Sequence, residues 1–231
     1  MGGGISHAAF GGVGLGILLG INPMLAAIPF AVGGALLMGY VQKRAKIHED
    51  VGIGMLWVIS MALGVIFIQF HPGYTADLFS YLFGNILTVT GFDLGLMLVL
   101  DAVIIIAAVM LFHEFRAITF DEEFSMTVGI PARMLYYVLL ALIALSVVLL
   151  MRVVGVVLVI AYLAIPATVA RMFTHDMRSM MLAAIGVGIG ASFVGFMLSY
   201  YFDLPSGALI VLTLGAFFGI ALLWQRFYGR E

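Results

Sequence analysis

"MLYYVLLALIALSVVLLMRVVGVVLVIAYLAIPATVARMF", residues 134–173, runs for forty residues with only two charges, Arg152 and Arg171. Such a run has no place on the surface of a soluble domain. One bilayer crossing takes about 20 helical residues, at ~1.5 Å of rise each, for a hydrocarbon core of about 30 Å. The run is too long for a single crossing, and Arg152 divides it into apolar stretches at 134–151 and 153–173. These are two spans, or one span and a broken or re-entrant segment, and the choice sets the number of crossings in the whole chain.

Working outward, six more apolar stretches are found at 5–20, 22–41, 51–70, 93–113, 179–201 and 207–225; the first is short. The 231 residues are 64% hydrophobic and 10% charged, with a mean hydropathy of +1.21. A soluble domain is roughly half apolar and about 25% charged, so this excess requires lipid as solvent. Lipid leaves no water to satisfy open sheet edges, so each span is helical. The expected fold is an all-α polytopic membrane protein of about eight transmembrane helices. A formal net charge of −2 excludes the basic stripe of a nucleic-acid binder, and the absence of cysteine excludes disulfides and thiolate metal sites.

The loops favour eight spans. Lys43, Arg44 and Lys46 share one connection, Arg116 and Arg133 flank another, Arg171 and Arg178 share a third, and Arg226 and Arg230 end the chain. With eight crossings all of these fall on one side, the cytoplasmic side by the positive-inside rule, with both termini. Arg152 alone is expected near the opposite face, snorkelling to water or neutralising a carboxylate there. The connections around Asn22-Pro23, His71-Pro72-Gly73 and Asp203-Leu204-Pro205 carry no Lys or Arg.

Residues 119–133, "TFDEEFSMTVGIPAR", lie in a cytoplasmic connection. Thr119 or Asp121 caps a short helix, Asp121, Glu122 and Glu123 suit the positive end of its dipole, and Gly129 with Pro131 stops it. Phe120, Phe124 and Val128 recur every four residues, giving the helix one apolar face. That face rests on lipid headgroups or plugs a groove in a soluble partner, and periodicity does not choose between them.

Five segments, "GGGISHAAFGG" (2–12), "SYLFGNIL" (80–87), "FDEEFSMTVG" (120–129), "RVVGVVLVIAYLAIPATVAR" (152–171) and "DLPSGALIVL" (203–212), together resemble the permease subunits of ATP-binding-cassette importers for zinc, manganese or iron(II). The resemblance keeps the family's order from Gly2 to about residue 225. It implies one transmembrane permease domain over 1–231, a homodimer, a separate cytoplasmic ATPase dimer, and an extracytoplasmic metal-binding protein. It also implies that the cytoplasmic element at about 119–131, with Phe120, Asp121, Glu122, Glu123, Phe124 and Gly129, seats in the ATPase. The chain has no G-x-x-x-x-G-K-[ST] loop, so it is expected to be no enzyme itself and ATP is hydrolysed by the partner. No permanently bound cofactor is expected, only the transported ion. In the family another span, ending in a basic loop, precedes the residues matching Gly2 to His7; this sequence is expected to be a fragment, a misplaced start or a short version.

Ionisable residues inside a membrane are costly and are functional candidates by default. A neutral imidazole at His7 binds Zn, Fe or Mn, or else donates to a neighbouring helix's carbonyl; the resemblance favours the ligand role. Many relatives carry an Asp one turn before this His, where Gly3 stands here, so the expected pair of ligands is incomplete. Asp101, deep in the 93–113 stretch, is the chemical substitute, with pairing to a Ser, a Tyr or a backbone group as the alternative. Asp93 is expected at the interface, and His71 and Asp203 in outer connections, as solvated loop residues or as points where an ion is handed over. Pro166 is expected to kink its span, and Phe70, Tyr74, Tyr81, Tyr200 and Tyr201 to form an aromatic belt. The rival functions are a permease for iron chelates or a related organic cofactor, an intramembrane metalloenzyme, and a passive membrane subunit. The metalloenzyme wants H-E-x-x-H, and His113-Glu114 lacks the second His.

Overall fold

The computed structural model describes residues 2–45, 48–71, 82–84, 89–156 and 158–228. Lys46, Tyr74, Tyr81 and Arg230 lie outside the described residues. Among those described the regular elements are all helices: α1 Gly2–Leu19, α2 Pro23–Ala45, α3 Glu49–Gln69, α4 Gly91–Met110, α5 Phe112–Phe120, α6 Glu122–Thr127, α7 Ala132–Val154, α8 Val159–Phe173, α9 Met177–Phe202 and α10 Ser206–Tyr228. Seven of these, α1 to α4, α7, α9 and α10, are long and apolar enough to cross a membrane. The stretch at 153–173, open between a full span and a broken segment, gives a helix shorter than a full span. α7 runs through Arg152 to Val154, Gly155 turns the chain at φ +89°, and α8 then has only 15 residues, about 22 Å. The non-helical Gly155 and Val156 are buried, as irregular backbone at membrane depth must be. Pro166 is buried within α8, which continues on both sides of it.

The chain divides into two compact units, residues 1–76 with 89–150, and residues 77–88 with 151–231. In the first unit α1 is the centre, packed on α2 and α3. It is buried on every side from Gly4 to Gly14, because its small residues let neighbouring backbones touch it. A Cβ at Gly12 would fall 2.6 Å from Ala27 Cα, and one at Gly14 would fall 2.8 Å from Gly64 Cα. The short first stretch of the sequence is thus a full 18-residue helix whose glycines are packing surface.

Side-chain caps tie the starts of α2 and α4 together. Asn22 Oδ1 accepts from the Met24 amide at 2.8 Å at the start of α2, and Asn22 Nδ2 donates to Asp93 Oδ1 at 3.0 Å. Thr90 and Asp93 form a capping box at the start of α4. Asp93 lies in the first turn, as expected for an interfacial residue, yet it is only 2% exposed. Water is replaced there by amide donors. Asn22→Ala removes a donor from a buried carboxylate and a cap from α2, at an expected cost of about 1–3 kcal/mol. Thermal unfolding of the detergent-solubilised protein checks this; an unchanged midpoint would mean that Asp93 is held by other groups.

In the second unit α8, α9 and α10 form a three-helix bundle. Ala191, Ile210 and Leu214 are its core, with Tyr162, Ile165, Val187 and Phe217 packed against them. Tyr162 Oη and Ser192 Oγ share a hydrogen bond of 2.8 Å, and Ser192 Oγ donates to the Gly188 carbonyl at 2.7 Å, so polar groups in the bundle satisfy one another. Asp176 caps α9 by accepting from the Ser179 amide at 2.9 Å, which holds its carboxyl below the usual range. Beside the bundle three backbone segments cross at glycines. A Cβ at Gly84 would fall 2.7 Å from the Gly155 nitrogen, and one at Gly207 would fall 2.7 Å from the Val154 carbonyl oxygen.

Candidate functional site

His7 sits on α1 and is 5% exposed. Its ring stacks on Trp57 of α3 with centroids 4.1 Å apart and planes 8° from parallel. Stacking fixes the plane of the imidazole, and Nδ1 is buried without a hydrogen-bond partner. The alternative of donation from Nδ1 to a neighbouring helix's carbonyl is therefore not what is seen. Buried polar nitrogens are nearly always satisfied, and this one has no partner among the described residues. Nothing in the sequence pointed to Trp57, since inter-helix neighbours carry no periodic signal. One turn earlier, Gly3 offers only its carbonyl, which accepts from Ser6 Oγ at 2.8 Å.

Asp101 is the eleventh of the 20 residues of α4, mid-span as expected, and is exposed on a helix that is open along most of its length. It has no hydrogen-bond partner among the described residues, so pairing with a Ser or Tyr is not seen. No cluster of three or more His, Asp or Glu is brought together among the described residues. The chain presents His7 and Asp101 as separate polar points. His71 follows α3 half-buried, with Nδ1 buried and unpartnered, rather than solvated. Asp203 is exposed and ends α9 in the left-handed region at φ +55°. Arg152 is half-buried in the last turn of α7. Phe70, Tyr200 and Tyr201 are exposed at helix ends, as a belt requires.

The acidic stretch is built differently from the expected single helix. Asp121 takes extended backbone, φ −154° and ψ 103°, and its Oδ1 accepts from the Phe124 amide at 2.8 Å. Asp121 is thus the cap. Thr119 is not, because its hydroxyl donates to the Phe115 carbonyl inside α5 at 2.7 Å. Capping breaks the helix, so Phe120 ends α5 while Phe124 sits on α6, and the four-residue spacing does not describe one continuous face. Gly129, at φ +89°, closes α6 with two return bonds, Gly129 N to Met126 O at 3.2 Å and Ile130 N to Ser125 O at 3.0 Å. Phe120 and Phe124 are 81% and 65% exposed, and Glu123, Met126 and Val128 are also exposed. Beside them Met126, Ile130, Pro131, Arg133 and Tyr137 line an open cleft of about 570 Å³. Glu122 pairs with Lys43 at the end of α2. In the sequence Lys43 is legible only as an inside charge, since a pair 79 positions apart leaves no local trace.

Comparison with known proteins accounts for this arrangement. A family described as "ABC 3 transport family" matches residues 1–225. An uncharacterized membrane protein of Synechocystis sp. is 44% identical over 97% of this chain and 80% of its own length. The manganese transport system membrane protein MntC of Listeria monocytogenes is 36% identical over 97% of this chain and 80% of its own. A chain in the solved structure of PsaBC from Streptococcus pneumoniae in complex with Fab aligns at a TM-score of 0.85 and 33% identity, covering 96% of this chain and 79% of that one. A buried histidine on the central helix of the first unit and an exposed cap-and-glycine turn lie within the matched residues, and the chain, with seven helices among the described residues long and apolar enough for a membrane, belongs to the ABC 3 transport family, a family of metal transporter permeases.

Proposed function

We propose that this chain is the membrane-spanning subunit of an ATP-driven importer of divalent transition-metal ions, with manganese the first candidate among manganese, zinc and iron(II). It works as a homodimer with a cytoplasmic ATPase dimer and an extracytoplasmic metal-binding protein, in the cytoplasmic membrane. α8 with the buried turn before it makes the eighth crossing, which puts both termini and the basic loops inside. The observation that carries the reading is the buried Nδ1 of His7, without a hydrogen-bond partner among the described residues, on the central helix of the first unit of a chain from this family. An imidazole is a borderline donor suited to these ions. Asp101 supplies negative potential further along the path, and the ion passes as substrate. Residues 120–129 form the element that receives the ATPase, and hydrolysis belongs to that partner. The names of relatives such as MntC support manganese ahead of zinc, iron or a bulky iron chelate, which would not need His7.

Labelled Mn, Zn and Fe(II) offered to vesicles carrying the full complex, wild type against His7→Ala, test this. ATP-dependent accumulation is expected, with the mutant lowered at least ~10-fold, equivalent to about 1.4 kcal/mol of lost interaction. Equal accumulation by the mutant would remove His7 from the path. No accumulation by an inserted wild-type complex would overturn the metal-ion reading in favour of a chelate.

A further inference from the structure

We infer that Lys43 is a positioning residue for transport, the strut through which α6 moves α2. The inference rests on the coupling role proposed for residues 120–129. Lys43 lies in the last turn of α2, and its ammonium is paired with Glu122 at the start of α6. The same Nζ sits 4.1 Å from the ring centroid of Tyr136 on α7, and Tyr136 Oη donates to Gln42 Oε1 at 3.5 Å. One turn below, α2 meets α7 closely: a Cβ on Gly39 would fall 3.3 Å from Tyr136 Cε1 and 3.4 Å from Tyr137 Cε1. One charge therefore joins three helices at a single point.

The pair is partly solvated, with the Lys43 and Glu122 side chains 30% and 38% exposed. Pairs this exposed add little to stability, so its value lies in where it acts. α6 has six residues, too few to hold a helix alone, and it is kept in shape by its Asp121 cap, its glycine turn and the buried Ser125. Glu122 ties this small unit to α2, while Phe124 and Val128 remain exposed.

From Lys43 the path inward follows α2, whose stretch from Lys43 to Gly34 is uninterrupted by proline; Pro29 lies beyond it. Gly34 is nine residues away on α2, about 14 Å, and a Cβ there would touch Ala8 Cβ on α1 at 3.3 Å. Ala8 is the neighbour of His7. Further along, Gly12 meets Ala27 and Gly16 meets Pro23 backbone to backbone. At these small residues α1 and α2 touch backbone to backbone or Cβ to Cβ, with Phe30 and Leu56 beside them, so a shift of α2 is passed to α1 through close packing. The ion pair contributes to coupling if it differs between the two states of the transporter, because only a differential interaction shifts an equilibrium.

The test uses the full complex in vesicles and reads metal ions imported per ATP hydrolysed. Lys43→Met keeps the stem and removes the charge; the ratio is expected to fall about fivefold, the low end of ordinary inter-site coupling, with assembly and ATPase rate unchanged. Lys43→Arg should stay near wild type, and Lys43→Glu combined with Glu122→Lys should recover most of what either single reversal loses. A purely structural lysine would lower assembled protein and uptake together, leaving the ratio intact. Wild-type uptake with an unaltered ratio in Lys43→Met overturns the strut alone, as does a swap no better than the single reversals. A wild-type complex that imports no ion overturns the transport reading itself.

Discussion

Phe124→Asp is expected to leave the protein inserted and the ATPase running while import falls at least ~30-fold. The side chain is 65% exposed, so its loss removes little from the fold, and surface changes of this kind usually cost within about 0.5 kcal/mol. Its exposure is the point. A phenyl ring standing out of a six-residue helix among Asp121, Glu122 and Glu123 is shaped as an anchor for an apolar seat. A carboxylate in that seat loses the apolar contact and is desolvated without a partner, and ~2 kcal/mol, the usual threshold for an interface hot spot, corresponds to about 30-fold. Because the helix breaks at Asp121, Phe120 belongs to a different element, and Phe120→Asp is expected to act independently rather than as a repeat of the same lesion. Uptake measured beside ATP hydrolysis in vesicles checks both. Wild-type uptake in Phe124→Asp sinks the coupling assignment.

What the sequence made legible followed from period and composition. Apolar length placed the membrane-length helices to within a few residues, because in lipid nothing competes with the helix for backbone hydrogen bonds, but not the start of α8, which Gly155 delays to Val159. Local chemistry was legible too: Asp121 as a cap and Gly129 as a stop are short-range rules, and both hold. The same reading left Thr119 in competition and carried Phe120 across the break, since spacing counts residues and does not see a cap interrupt a helix. The site was less legible because it depends on neighbours distant in sequence. His7 was identifiable as an ionisable group in an apolar helix, but its stacking on Trp57 was not. Asp93 read as interfacial and is buried, because Asn22, 71 positions away, brings it a donor. Lys43 and Glu122 were each visible as charges and invisible as a pair.

Gly155→Val is expected to have the largest effect of any single change in the second unit, leaving little monodisperse protein after detergent extraction. Gly155 is at φ +89°, which a β-branched residue adopts only under strain of about 1–2 kcal/mol. The space is also filled: a Cβ would collide with the Gly84 nitrogen, the Leu82 carbonyl oxygen and the Phe83 carbonyl carbon, all backbone atoms that cannot rotate away. Overpacking typically adds a further ~1–3 kcal/mol, and the total consumes much of a net stability of about 5–15 kcal/mol. The contact is reciprocal, since Gly84 at φ +75° meets Val154 and Gly155 from the other side, and Gly207 closes on Phe83 and Val154. Three of the five segments that carry the family resemblance, 80–87, 152–171 and 203–212, therefore meet at one backbone crossing, next to the break that shortens α8. Gly84→Val should match Gly155→Val in severity, whereas Gly33→Ala, where a Cβ meets nothing within 4 Å, should leave yield and thermal stability unchanged or slightly raised. Size-exclusion yield and the unfolding midpoint of the three variants distinguish a crossing that holds the unit together from one that merely passes close. A well-folded Gly155→Val would mean that the three segments separate without loss, and that the turn before α8 is free to move as the path opens.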